Sequence, residues 1–151
     1  MKRRDFGVAG VAALASLGLG GRAGAQGKTA DHPEHDAAMQ ACAKACADCQ
    51  LMCDMCSTHC AHLVADGKKQ HLMTLMSCQD CADICAAAAQ SAARGGPHAA
   101  HICEACATVC AGCAKECEKH PDDAEMAKCA KECRKCEKAC REMAQHAGQS
   151  K

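Results

Sequence analysis

Eighteen cysteines recur at intervals of three and four residues, in four separate blocks. The first holds Cys42, Cys46, Cys49, Cys53, Cys56 and Cys60, and the second Cys78, Cys81 and Cys85. The third holds Cys103, Cys106, Cys110, Cys113 and Cys117, and the fourth Cys129, Cys133, Cys136 and Cys140. Thiolate is a soft ligand that selects Cu(I), Zn(II) or iron–sulfur clusters. Cu(I) is satisfied by two or three sulfurs, whereas zinc wants a closed tetrahedron and iron–sulfur clusters want four cysteines, usually drawn from a loop. A long ladder of closely spaced thiols therefore suits many low-coordinate Cu(I) ions best. With two thiolates or about one per ion, the chain would take about 9 to 18 of them.

Softer and weaker ligands flank the ladders. Met39 and His35 precede Cys42 at the same spacing, and Met143 follows Cys140. His71 and Met126 stand in equivalent positions before Cys78 and Cys129. These five are accessory metal candidates, and neutral thioether at a mouth suits a step in which copper enters. His59, His62, His98 and His101 fall off the cysteine stripes and are expected in solvent. Met52, Met55, Met73 and Met76 also lie off the stripes. With Leu51, Leu72 and Ile84 they read as a subunit interface.

The elements that must carry the ladders are helices. A 3/4 alternation is the core face of an amphipathic helix, here filled by sulfur in place of leucine. At 100° per residue, the first block keeps within an arc of roughly 80°. Alanine, glutamate, lysine and glutamine fill the remaining positions and favour helix throughout. Breakers divide the chain at Asp66-Gly67, at Arg94-Gly95-Gly96-Pro97 and at His120-Pro121-Asp122-Asp123. Helices are therefore expected at about 35–64, 68–93, 98–119 and 122–146, with Pro121 and the two acids forming the first turn of the last. Four helices joined by short loops make an all-α, up-down-up-down antiparallel bundle with a cysteine-lined core. Met39, His35, Met143 and the second loop would meet at one end. At the other, the second stripe would run from Cys78 through Leu75 to His71, with Leu63 and Val64 as a plug.

The amino terminus reads differently. Lys2-Arg3-Arg4-Asp5-Phe6, an apolar stretch from Gly7 to about Gly21 and Ala23-Gly24-Ala25 together resemble a twin-arginine export signal with its cleavage site. Residues 1–25 are expected to be removed and 26–34 to form a flexible tail before a bundle over 35–147, in a protein exported to the periplasm. Without Lys2, Arg3, Arg4, Arg22 and Asp5, 14 basic and 17 acidic residues remain. That balance points to neither nucleic acid nor an anionic membrane as partner. The twin-arginine route carries folded proteins, so thiols would meet an oxidising compartment already arranged.

Three readings compete with copper storage. A metallothionein-like zinc or cadmium sequestrant would use the same thiols, and bound-metal identity separates it. A disulfide-bonded secreted domain would use them as cross-links, but Cβ atoms at i and i+4 lie about 5–6 Å apart, whereas a disulfide wants roughly 3.5–4.5 Å. An iron–sulfur electron carrier would be coloured, whereas Cu(I) thiolate is not. No nucleophile–base pair, phosphate loop or dinucleotide fingerprint is present, so the expectation is a protein that is not an enzyme.

Arg3-Arg4-Asp5-Phe6 and the four cysteine ladders resemble the copper storage proteins, a bacterial family of four-helix bundles. The resemblance covers essentially the whole mature chain. It implies that the 18 cysteines are Cu(I) ligands, that histidine or methionine adds ligands near an open end, and that the protein is a homotetramer. Exported and cytosolic members both exist, and the leader groups this chain with the exported ones. Copper chaperones or cuproenzymes would be its partners.

Overall fold

The computed structural model describes residues 33–149, with side chains described over 37–146. The expected leader and all but the end of the expected tail lie outside these residues. Four helices follow one another: α1 (Pro33–Ala65), α2 (Leu72–Ala93), α3 (Ala99–Cys117) and α4 (Ala124–Gln149). Pro33 opens α1 at a position where its missing N–H costs nothing.

The junctions are where the sequence expectation and the structure part. After α1, Lys68 N–H bonds back to Leu63 C=O at 3.0 Å and Gly67 takes φ +85°. This is the left-handed helix stop that glycine permits. Lys69–His71 then form a single 3-10 turn, so α2 begins at Leu72 and not at 68. The α2–α3 turn uses Gly95 at φ +60°. Before α4, Asp123 Oδ1 accepts the amides of Glu125 at 3.0 Å and Met126 at 3.1 Å. Asp123 is thus the helix cap, and Pro121 and Asp122 stay in the loop instead of forming the first turn.

The helices form an antiparallel square in which α1 packs on α2 and α4, and α3 on α2 and α4. The diagonal pairs meet only through side chains at the centre, as where Cys42 and Cys103 sulfurs lie 3.5 Å apart. All 18 cysteines are essentially inaccessible, the most exposed being Cys56 at 1%. Alanines 82, 88, 92, 99, 107, 114 and 130 complete the core with Met126 and Met143. None of the branched aliphatics is fully buried among the described residues, and Leu51 and Leu72 are exposed. Short interior side chains let the backbones approach closely around the sulfur.

Outside, charged side chains pair along each helix, as Lys44 with Asp48 and Lys135 with Glu132. Arg134 ties α4 to the end of α3 by reaching Glu118 at 2.9 Å. Exposed pairs of this kind add little stability each. No helix among the described residues is long and apolar enough to cross a membrane.

Candidate metal centre

Each helix contributes one sulfur stripe, and the four stripes face one another. At the end near the α2–α3 turn, Cys42 lies 3.5 Å from Cys103 and 3.8 Å from Cys140. One step inward, Cys46 sits 3.4 Å from Cys140 and 3.7 Å from Cys136. Cys85 then reaches Cys106 and Cys110, both at 3.6 Å, and Cys136 at 3.9 Å. Further along, Cys53 lies 3.6 Å from Cys133 and 3.9 Å from Cys129. Cys78 closes the series, 3.7 Å from Cys113 and 3.9 Å from Cys117. Cys60 stands beyond them, buried like the rest.

The sulfurs form foursomes whose members all lie within 4.8 Å of one another. Among them are Cys46/Cys106/Cys136/Cys140, Cys49/Cys85/Cys110/Cys136, Cys49/Cys53/Cys81/Cys133, Cys53/Cys113/Cys129/Cys133 and Cys56/Cys78/Cys117/Cys129. In that order, each shares at least one thiol with the next. The array is one column and not a set of isolated sites. All 18 cysteines are free thiols in the structure.

The column holds no positive charge of its own. The buried polar residues among those described are Ser57, His71, Thr74 and Ser91. Burial, with the neighbouring Cys56, pushes the Cys60 thiol up to about 12. A thiolate formed there has no ammonium or guanidinium to meet it, so the metal must supply the compensating charge.

The two ends differ. Met39 is half-buried and Met143 is 2% exposed. Both border a cavity of about 430 Å³ that Gly95, Ala99 and His101 also line. Met39 Sδ lies 3.6 Å from where a Cβ on Gly95 would stand, an ordinary van der Waals contact, so the positive φ and not a lack of space favours glycine at this turn. This end brings together two of the three residues expected there. The side chain of the third, His35, lies outside those described. His101 borders the cavity while remaining exposed.

At the far end Met126 is fully buried and His71 is 7% exposed. His71 packs on His120 with ring centroids 4.3 Å apart and the planes tilted by 36°, and its Nδ1 has no hydrogen-bond partner. Burial first, then His120, lowers the His71 pKa. His120 Nε2 shares a 3.2 Å hydrogen bond with Thr74 Oγ1. Thr74, four residues before Cys78, is buried where Leu75 was expected to continue the stripe. Leu63 and Leu75, expected as part of a plug, are half-buried and pack against the core at this end, and Val64 is half-buried beside them. His59, expected in solvent, instead donates from Nε2 to Asp123 Oδ2 at 2.8 Å. Spacing could have found Thr74. His120, in a break between helices, carried no periodic signal.

A family model described as copper storage protein matches residues 35–145, which takes in all four helices' sulfur stripes. The chain belongs to the copper storage protein family. Among solved structures, it is similar to the Cu(I)-bound copper storage protein BsCsp3 of Bacillus subtilis, at 36% identity over 71% of this chain and 98% of that one, with a TM-score of 0.66. It is also similar to the copper storage protein Ccsp of Streptomyces lividans loaded with 10 copper equivalents. That match has 34% identity, covers 79% of this chain and 93% of that one, and has a TM-score of 0.67. A curated relative, the uncharacterized cysteine-rich protein YhjQ of Bacillus subtilis strain 168, is 39% identical over 85 residues, covering 56% of this chain and 76% of the relative.

Proposed function

We propose that the protein is an exported reservoir that stores Cu(I) on its core thiolates, with all 18 cysteines as ligands. The observation that carries this reading is the continuous column of buried free thiols, linked foursome to foursome by shared members. Each Cu(I) displaces about one thiol proton, and an ion with its thiolate is neutral, which suits a core without buried cations. Thiols shared between foursomes let an ion take a new ligand before it releases the old one. Copper then migrates along the bundle without crossing bare hydrocarbon. The relatives described as Cu(I)-bound and as loaded with 10 copper equivalents support the cargo and its multiplicity.

Copper enters at the Met39 and Met143 end, where both residues line a cavity and stand one helical turn from Cys42 and Cys140. His35 assists there, and His71 and Met126 offer weaker ligands at the closed end. Copies of the chain meet on the α1/α2 face, where Leu51, Met55, Leu72, Met73 and Met76 are exposed, in the homotetramer that the family resemblance implies. The protein releases its cargo to copper chaperones or cuproenzymes and catalyses no reaction. The basic, apolar and small-residue segments of residues 1–25 support export by the twin-arginine route.

Elemental analysis of protein recovered from the periplasm of copper-fed cells tests the reading. Several copper atoms per chain, on a polypeptide beginning at Gln26, are expected. A polypeptide that retains Arg3-Arg4 in the cytoplasm would contradict the export assignment, and a copper-free protein would contradict storage.

A further inference from the structure

The cavity at the Met39 and Met143 end offers two kinds of ligand. Its thioethers suit Cu(I), whereas His101 and Glu104, which line the same cavity, supply the nitrogen and oxygen donors that suit Cu(II). These two side chains are exposed and stand three residues apart on α3, with about 5–6 Å between Cβ atoms at that spacing. A store built of soft sulfur alone has no use for them. Behind the cavity, Cys46 lies 3.4 Å from Cys140, and Cys42 lies 3.5 Å from Cys103. The two pairs differ in what they can become. Cys42 and Cys103 meet across the diagonal, and among the described residues no Cα of α1 comes within 8 Å of one of α3. A disulfide there would need the backbones to move. Cys46 and Cys140 belong to α1 and α4, which pack side by side, so a sulfur–sulfur bond of about 2 Å is within reach. Cys42, the other α1 sulfur beside Cys140, is farther from it at 3.8 Å.

We propose that this end also accepts Cu(II), landed on His101 and Glu104, and that Cys46 and Cys140 reduce it to the Cu(I) that the column stores. Two Cu(II) ions each take one electron. Cys46 and Cys140 give up those two electrons, their two S–H bonds break with two protons released to solvent, and one S–S bond forms between them. The two Cu(I) ions pass to the thiols that remain. Copper is itself the oxidant, and the step runs forward because thiolate holds the soft Cu(I) product. The reaction consumes its donors and is not catalysis. An exported store meets an oxidising compartment, and a means of taking up the oxidised ion fits that setting. The inference rests on the entrance and on thiolate storage of Cu(I), and adds to them the oxidation state in which copper can arrive.

Cu(II) sulfate alone, added without oxygen to the reduced, metal-free mature protein, is the probe. Over the first two equivalents the Cu(II) electron paramagnetic resonance signal should vanish. After acid quenching and stripping of the metal, two thiols should be missing for those two ions, and peptide mapping should find them as a Cys46–Cys140 disulfide. The same protein loaded with Cu(I) in a parallel titration should return all its thiols. His101→Ala with Glu104→Gln should slow the loss of the signal severalfold, while Cu(I) uptake keeps its wild-type rate. Far-UV circular dichroism checks that this variant folds. A protein that takes up many Cu(I) ions but leaves Cu(II) paramagnetic, or returns every thiol after Cu(II), overturns the reduction and leaves storage standing. Disulfides spread over other pairs overturn the assignment to Cys46 and Cys140. Reduction as fast in the variant as in wild type overturns the landing site. A protein that holds neither ion would instead remove the storage reading.

Discussion

Cys53 has sulfur neighbours at 4.0, 3.9 and 3.6 Å in Cys49, Cys129 and Cys133, so an ion held there has alternative ligands on every side. Binding such an ion expels a proton. With about one proton displaced per Cu(I), the apparent affinity should fall about tenfold for each pH unit lowered below the thiol pKa values. Chelator competition at two pH values checks this, and an affinity independent of pH would mean that the ligands are not thiols. Met39, bordering the cavity, should govern access more than capacity. Met39→Ala is expected to slow copper uptake in stopped-flow mixing while leaving the final stoichiometry nearly unchanged, and Met126→Ala at the closed end should do less. Asp123 is structural. Burial alone would raise its carboxyl, but the His59 hydrogen bond and the Met126 and Glu125 amides outweigh that and hold the pKa low. Its stabilising effect is therefore complete above the ordinary carboxylate range and is lost as pH falls through its lowered folded-state pKa. Asp123→Ala should cost about 1 kcal/mol in chemical denaturation near neutral pH, and the difference from wild type should shrink in acid.

At the scale of the helix, each sulfur stripe is the face that would ordinarily hold leucine, and its neighbours are strong helix formers. Backbone hydrogen bonding and alanine packing hold the helices without calling on any one thiol. Replacing Cys49, Cys53, Cys106 and Cys136 together by alanine should lower copper capacity by several ions while far-UV circular dichroism stays nearly constant. Unchanged capacity would refute the column. The stripes were legible in the sequence because period 3.6 fixes which residues share a face, whatever the side chain. Helix ends were less so. Pro121 looked like a first-turn residue, yet Asp123 took the cap because its carboxylate reaches two free amides. The stripe before Cys78 admits both Thr74 and Leu75, at four and three residues' distance, and only the packing of α2 against α3 decides for Thr74. His59 and His120 owe their placement to contacts between distant segments, and one-dimensional spacing carries no trace of those.

For the molecule as a whole, the interior is mainly sulfur and alanine, with no Phe, Tyr or Trp side chain and no fully buried branched aliphatic among the described residues. Such a core offers little apolar area to set against conformational entropy. Copper bound only by the folded chain compensates. A single site held at a thousandfold excess over its dissociation constant adds about 4 kcal/mol. Loading should therefore raise the melting temperature by on the order of 10–20 °C or more in calorimetry, and a chelator strong enough to strip the metal should reverse the gain. In the proposed homotetramer, the exposed Leu51, Met55, Leu72, Met73 and Met76 would give further apolar area to bury. The central claim is that the 18 thiols act together as a Cu(I) store. It is tested most directly by anaerobic titration of the reduced mature protein with Cu(I) against a competing chelator, with free thiols counted at each addition. Tight uptake of about ten or more equivalents is expected, with thiols becoming unreactive in step with the copper bound. Uptake that stops at one or two equivalents, or thiols that stay reactive while copper binds, would contradict it.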